Sequence, residues 1–182
     1  MKNSTEILLG VTGSIACYKA ADLASKLVQN GYSVHVVMTA AAQKFIAPLT
    51  FQTITCRKVI TEMFPQDYEV EEGHIPLARL CRLILIAPAT ANIIGKLANG
   101  IADDYLTTAV MASKAPVVIA PAMNDVMYNN PVLQKNIKAL KSIGYDFIEP
   151  EKGRLACGTE GKGRLASVEV IMDRIDKVRI KN

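Results

Sequence analysis

The residues on which metal and proton chemistry is usually built are scarce in this chain: two histidines and four cysteines in 182 residues. Cys17, Cys56, Cys81 and Cys157 stand at no metal-ligand spacing, so no metal site is expected. No dense run of lysine and arginine interleaved with aromatics is present either. The net charge of +4 is spread along the chain, which favours a small anion over a nucleic acid. Long apolar runs are missing as well. The first one, residues 7–9, follows a polar stretch and is too brief for a signal sequence or a membrane span. A cytoplasmic protein with unpaired cysteines is expected.

Half of the residues are hydrophobic, enough for one compact domain over residues 1–182 and not comfortable for two. Short β-branched runs at 6–11, 33–38, 83–87, 117–120 and 146–148 alternate with helix-period stretches at 14–30, 40–47, 91–99 and 131–143. Leu83-Ile84-Leu85-Ile86-Ala87 and Val117-Val118-Ile119-Ala120 are apolar at every position, as strands covered on both faces must be. The predicted fold is α/β: a doubly wound, mostly parallel, Rossmann-like sheet in a three-layer α/β/α arrangement. Gly31 and Gly144 read as helix-closing residues. Residues 65–73 and 149–164 read as exposed loops, the second carrying Gly153, Gly158, Gly161 and Gly163, and residues 167–178 as a closing helix.

Gly10-Val11-Thr12-Gly13-Ser14-Ile15-Ala16 forms a strand-to-helix turn that suits a phosphate, although a turn that merely reverses the chain fits the same residues. Its glycines are out of register with GxGxxG, which disfavours a nicotinamide cofactor. Thr39 and the stretch Ala87-Pro88-Ala89-Thr90-Ala91-Asn92 end two further strands at the same sheet edge, as helix caps or as ligand contacts. His35 alternates within a strand and reads as structural. His74 ends a charged loop and is either a proton-exchanging group or a solvated histidine. Asn124, after Pro121-Ala122-Met123, either binds a carboxylate or caps its own turn, and Met123 and Met127 read as packing residues. Cys157 has Lys152, Arg154, Lys162 and Arg164 around it to favour thiolate, whereas Cys17 and Cys81 read as packing and Cys56 is ambiguous.

Gly13-Ser14-Ile15-Ala16, His74-Ile75, Pro88-Ala89-Thr90-Ala91-Asn92, Pro121-Ala122-Met123-Asn124 and Ala156-Cys157-Gly158-Thr159-Glu160-Gly161-Lys162-Gly163-Arg164 together resemble the flavin-containing cysteine decarboxylases. The last segment resembles the substrate-recognition clamp of the phosphopantothenoylcysteine decarboxylases. Cys81-Arg82 departs from the Ala-Asp that related chains often carry.

The resemblance implies FMN as cofactor, held by Gly13, Ser14, Ile15 and Thr39 and by Thr90, Ala91, Asn92, Ile93 and Ala122. His74 is implied as the active-site base and Cys157 as the proton donor. Asn124, Ala156, Cys157 and Gly158 are implied as substrate contacts, with Arg79 near the substrate carboxylate. The implied reaction is decarboxylation of 4'-phospho-N-pantothenoylcysteine to 4'-phosphopantetheine in coenzyme A biosynthesis, through oxidation of the thiol to a thioaldehyde, loss of CO2 and re-reduction. Also implied are a homotrimer or a multiple of trimers and a separate ligase supplying the substrate. Peptidyl-cysteine decarboxylases, non-catalytic flavoprotein subunits and flavodoxin-like electron carriers are the alternatives.

Overall fold

Helices return the chain to the same end of the sheet after each of the first four strands, and five parallel strands result: β1 (Glu6–Val11), β2 (Ser33–Met38), β3 (Leu83–Ala89), β4 (Val117–Pro121) and β5 (Asp146–Phe147). Their spatial order is β2-β1-β3-β4-β5. The computed structural model describes residues 5–64 and 73–178.

Successive side chains of a strand leave opposite faces, and the consecutive apolar residues therefore feed two cores. Ile7, Leu9, Leu83 and Leu85 pack with Leu23 and Leu27 of α1 (Cys17–Gln29) and with Ile171 and Ile175 of α8 (Val168–Lys177). Leu8, Ile84, Ile86 and Ile119 pack on the other side. Their partners are Ile93 and Ile94 of α4 (Ala91–Ala98), Leu106 and Val110 of α5 (Tyr105–Ala112), and Ile137 and Leu140 of α7 (Pro131–Ser142). Each such fully buried side chain contributes roughly 1.5–3 kcal/mol, so both faces must be covered, and the predicted three-layer architecture is observed. Gly31 and Gly144 close α1 and α7 at positive φ, as expected.

Several segments differ from expectation, among them α5 (Tyr105–Ala112), where no helix was expected. Residues 40–47 are not a helix: Thr39 Oγ1 accepts from the Ala42 N–H at 3.3 Å and starts a 3-10 turn, Ala42–Lys44. The true helix, α2 (Pro48–Thr55), begins where proline is tolerated as the first helical residue. The first helix starts at Cys17, because residues 14–16 are spent on the turn before it. His74 opens a helix, α3 (His74–Leu80), instead of ending a loop; residues 65–72 of that expected loop lie outside the described residues.

The largest correction concerns residues 149–164. They form an antiparallel hairpin, β6 (Glu151–Arg154) with β7 (Glu160–Arg164). No apolar alternation signals it, because the inward positions of β7 are glycines. A Cβ on Gly163 would stand 2.1 Å from the Met123 carbonyl oxygen, and one on Gly161 would stand 2.5 Å from Asp125 Cβ. The strand lies flat on the start of α6 (Asp125–Tyr128), with the Met123 N–H donating to the Gly163 carbonyl at 2.9 Å.

Candidate active site

Strand order reverses between β1 and β3, and in open α/β sheets ligands bind outside the carboxyl ends of the strands at such a point. One buried hydroxyl ties the two strand ends together: Thr12 Oγ1 donates to the Pro88 carbonyl at 2.7 Å and accepts from the Thr90 N–H at 3.0 Å. Sequence reasoning missed Thr12; its signal was a polar residue directly after an apolar strand. Beside it, Gly13 is pressed so close to the next turn that a Cβ would stand 2.4 Å from Ala41 Cβ. The N–H groups of Gly13 and Ile15 have no acceptor among the described residues. Such free amides at the start of α1 suit an anion.

Two clefts flank this turn. The first, about 670 Å³, is lined by Gly13, Thr39, Thr90, Ala91, Asn92 and Ile93, together with Thr12. Thr90 caps α4 by accepting from the Ile93 N–H at 3.4 Å. Lys96 at this cleft is held by Asp103 at 2.6 Å and Asp104 at 3.1 Å, and the Asp103 contact foremost raises its pKa. Met127, expected as a packing residue, is about half exposed at the cleft wall, whereas Met123 packs against the core.

The second cleft, about 580 Å³, is lined by Ser14, Ile15, Ala122, Asn124, Ala156 and Cys157 among others. The cofactor residues expected from sequence are thus shared between two clefts separated only by the turn. Asn124 Oδ1 accepts from the Val126 N–H at 2.9 Å and caps α6, while its Nδ2 donates to Cys157 Sγ at 3.4 Å. The cap and the thiol contact therefore use opposite ends of one amide, and the capping reading of Asn124 is the one observed.

Cys157 is exposed, and its Sγ lies 3.2 Å from Thr159 Oγ1. Its pKa is lowered, first by the Thr159 side chain, next by the Thr159 backbone, and also by Asn124. Hydrogen bonding to the thiolate, and not the basic neighbours expected to activate it, produces the shift. Lys162 is committed elsewhere. It binds Glu149 at 2.8 Å, and Glu149 also takes Tyr128 Oη at 2.8 Å and Lys141 at 3.2 Å. This tie of β7 to α6 and α7 was not visible in the sequence, since its residues are far apart and of ordinary surface type.

His74 is half-buried at the start of α3, its ring 6.2 Å from that of Tyr105 in an edge-on arrangement, and Tyr105 lines the first cleft. Arg79 lines a third cleft with Cys81 and Arg82, below the starts of β3 and β4. Within one chain, neither residue shares the cleft of Cys157. Gly158, at φ +90, makes the hairpin turn without lining that cleft. His35 is structural as expected, with Nε2 2.7 Å from Glu6 Oε2. Burial pushes the Cys17 thiol up and that of Cys81 up to about 12, as befits packing residues, while Cys56 is exposed.

Clefts at the strand-order switch point, bordered by a turn with unpaired amides, place the chain among the ligand-binding doubly wound α/β proteins. The chain belongs to the flavoprotein family, whose model matches residues 1–180. It is 52% identical over 177 residues to the coenzyme A biosynthesis bifunctional protein CoaBC of Bacillus subtilis, covering 97% of this chain and 44% of that protein. The chain thus spans about half the length of the bifunctional relatives it matches. It is also 45% identical over 174 residues to a probable phosphopantothenoylcysteine decarboxylase of Streptococcus mutans, covering 94% of this chain and 97% of that one.

Two solved structures share the fold. A cysteine-to-serine mutant of PPC decarboxylase complexed with pantothenoylaminoethenethiol superposes with a TM-score of 0.85 at 29% identity, covering 96% of this chain and 97% of that one. The FMN-dependent cysteine decarboxylase SpaF superposes with a TM-score of 0.81 at 30% identity, covering 93% and 94%. Among the described residues no helix is long and apolar enough to cross a membrane.

Proposed function

We propose that this chain is an FMN-dependent phosphopantothenoylcysteine decarboxylase, converting 4'-phospho-N-pantothenoylcysteine to 4'-phosphopantetheine in coenzyme A biosynthesis. The observation that carries the reading is the pairing of Asn124 Nδ2 with Cys157 Sγ at 3.4 Å, in a cleft that shares its wall with the anion-binding turn. The relatives named for this reaction support it, one of them over nearly its full length.

The residues present fit FMN. The free N–H groups of Gly13 and Ile15 would meet its phosphate, the Ser14 and Thr39 hydroxyls would add to that end, and the first cleft is of ordinary small-ligand size. Thr90, Ala91, Asn92, Ile93 and Ala122 would hold the remainder. When bound, FMN supplies reversible hydride acceptance, so that the substrate thiol can be oxidised to a thioaldehyde before CO2 leaves and the product reduced afterwards.

The chain's own residues do the rest. Asn124 is neutral, and its amide orients the carboxylate without an ion pair that would stabilise it against departure. Cys157, its thiol made more acidic by Thr159, protonates the carbon chain as the enethiolate is reduced. His74 takes the proton of the substrate thiol. Because His74 and Arg79 lie outside the cleft of Cys157, a second copy of the chain is needed to bring them there, in a homotrimer or a multiple of trimers. The substrate is a phosphorylated metabolite, which fits a cytoplasmic enzyme.

The test is incubation of the purified protein with 4'-phosphopantothenoylcysteine under nitrogen without added reductant, following CO2 and product mass. Phosphopantetheine and CO2 in equal amounts are expected. A yellow but inert protein contradicts the substrate assignment, and a colourless one contradicts FMN.

A further inference from the structure

The cleft of Cys157 carries more positive charge than decarboxylation requires. Lys19, Arg154 and Arg164 line it, and none of its lining residues is a carboxylate. Lys19 reaches from α1 to the Leu165 carbonyl at 3.4 Å, which sets its ammonium at the base of the hairpin. Arg154 and Arg164, one on each hairpin strand, make no side-chain hydrogen bond or ion pair among the described residues. Several other cations are spent: Lys162 and Lys141 on Glu149, Lys96 on Asp103 and Asp104, and Arg174 on Asp146, while Lys152 of the same hairpin does not line this cleft. The first cleft is the opposite case, with Glu62, Asp103 and Asp104 around its single lysine.

A substrate that loses CO2 gains nothing from a strong cation on its departing carboxylate, since an interaction made only in the ground state opposes the step. The neutral Asn124 already serves that end of the cleft. The three cations must therefore meet a charge that persists through the reaction. A phosphomonoester, at about −1.5 to −2 near neutral pH with three acceptor oxygens, is the matching group, and paired guanidinium donors are its usual partners.

We propose that Lys19, Arg154 and Arg164 form a phosphate subsite that makes the chain select a substrate ending in a phosphomonoester over the same molecule without it. The subsite rests on the decarboxylase reading for the identity of the substrate, and its test is independent of turnover. Calorimetry on the flavin-loaded protein compares 4'-phosphopantothenate with pantothenate, neither of which has a cysteine to decarboxylate. The phosphorylated compound is expected to bind at least about 30-fold more tightly, the discrimination worth one charge-assisted contact or more.

In Arg154→Met/Arg164→Met that ratio collapses toward one, while bound flavin, read by its absorbance, and the thermal midpoint stay close to wild type. The single variant Lys19→Met shows an intermediate ratio. Equal binding of the two compounds by the wild type overturns the proposal. So does loss of bound flavin from the folded double variant, which would assign the cations to the phosphate of the cofactor. Phosphate discrimination in a protein that releases no CO2 would uphold the subsite and sink the decarboxylase reading instead.

Discussion

Asn124 and Cys157, 33 residues apart, meet at 3.4 Å because a strand of glycines lets the hairpin of Cys157 lie directly on the turn of Asn124. The amide is fixed from behind by its cap to the Val126 N–H at 2.9 Å, which leaves its NH2 end to the thiol. Pre-set donors of this kind need no reorganisation during reaction.

Replacing Asn124 by Asp separates these roles. Aspartate caps α6 as well as asparagine does, so the thermal midpoint should stay near wild type. A negative charge facing the substrate carboxylate should lower kcat/KM by about 100-fold or more, the scale of losing one oriented donor. Steady-state kinetics beside a melting curve decide it; a stable variant with near-normal kcat/KM removes Asn124 from carboxylate binding.

The Cys157 thiol is expected to alkylate with a pH midpoint below that of an ordinary cysteine, since Thr159 foremost stabilises its thiolate. Thr159→Val should move the midpoint upward. Iodoacetamide rates scored by peptide mapping, which separates Cys157 from the other exposed thiol, Cys56, report this directly. A midpoint that does not respond to Thr159→Val contradicts the hydrogen-bond account.

Gly163→Ala tests the docking of the hairpin. The added methyl cannot coexist with the Met123 carbonyl, so β7 must lift and the bond from the Met123 N–H to Gly163 must break. Hydrogen exchange at Met123 should accelerate at least about tenfold while amides of β1 and β3 keep their protection. Uniform acceleration would indicate general destabilisation instead.

Glu149 links hairpin stability to acid. Lys162 foremost, with Tyr128 and Lys141, holds its carboxyl down to about 2, below the ordinary 4.5. A carboxyl depressed in the folded state contributes stability above its unfolded pKa and loses it as pH falls through the folded one. The loss therefore falls between about pH 4.5 and pH 2. The side chain is 51% exposed, so solvent screening keeps the effect modest. Chemical denaturation of Glu149→Gln should show a shallower decline across that window than wild type; parallel curves contradict the linkage.

The two-sided burial of Leu83–Ala89 and Val117–Pro121 was legible because consecutive apolar residues admit few other readings. Asn124 and Cys157 were legible by type and motif, but their contact was not, since it depends on backbone approach at Gly161 and Gly163. Glycines carry no periodicity, and the hairpin therefore read as a loop. Thr12 was hidden for a related reason: its partners are backbone groups 76 and 78 residues away, which no local pattern marks. Glu149 and its lysines resembled any solvated surface until the fold gathered them.

The most direct measurement is the mass of the product formed by Cys157→Ser with 4'-phosphopantothenoylcysteine under nitrogen. Serine keeps a hydroxyl near Asn124 but is a far weaker acid than the tuned thiol. Loss of CO2 with formation of up to one equivalent of an enethiol product per bound flavin, two hydrogens lighter than phosphopantetheine and with the two electrons left on the flavin, is the result that thiol oxidation before decarboxylation and proton donation by Cys157 require. Normal formation of phosphopantetheine by the variant would contradict the role of Cys157, and intact substrate mass with no CO2 would contradict the order of steps.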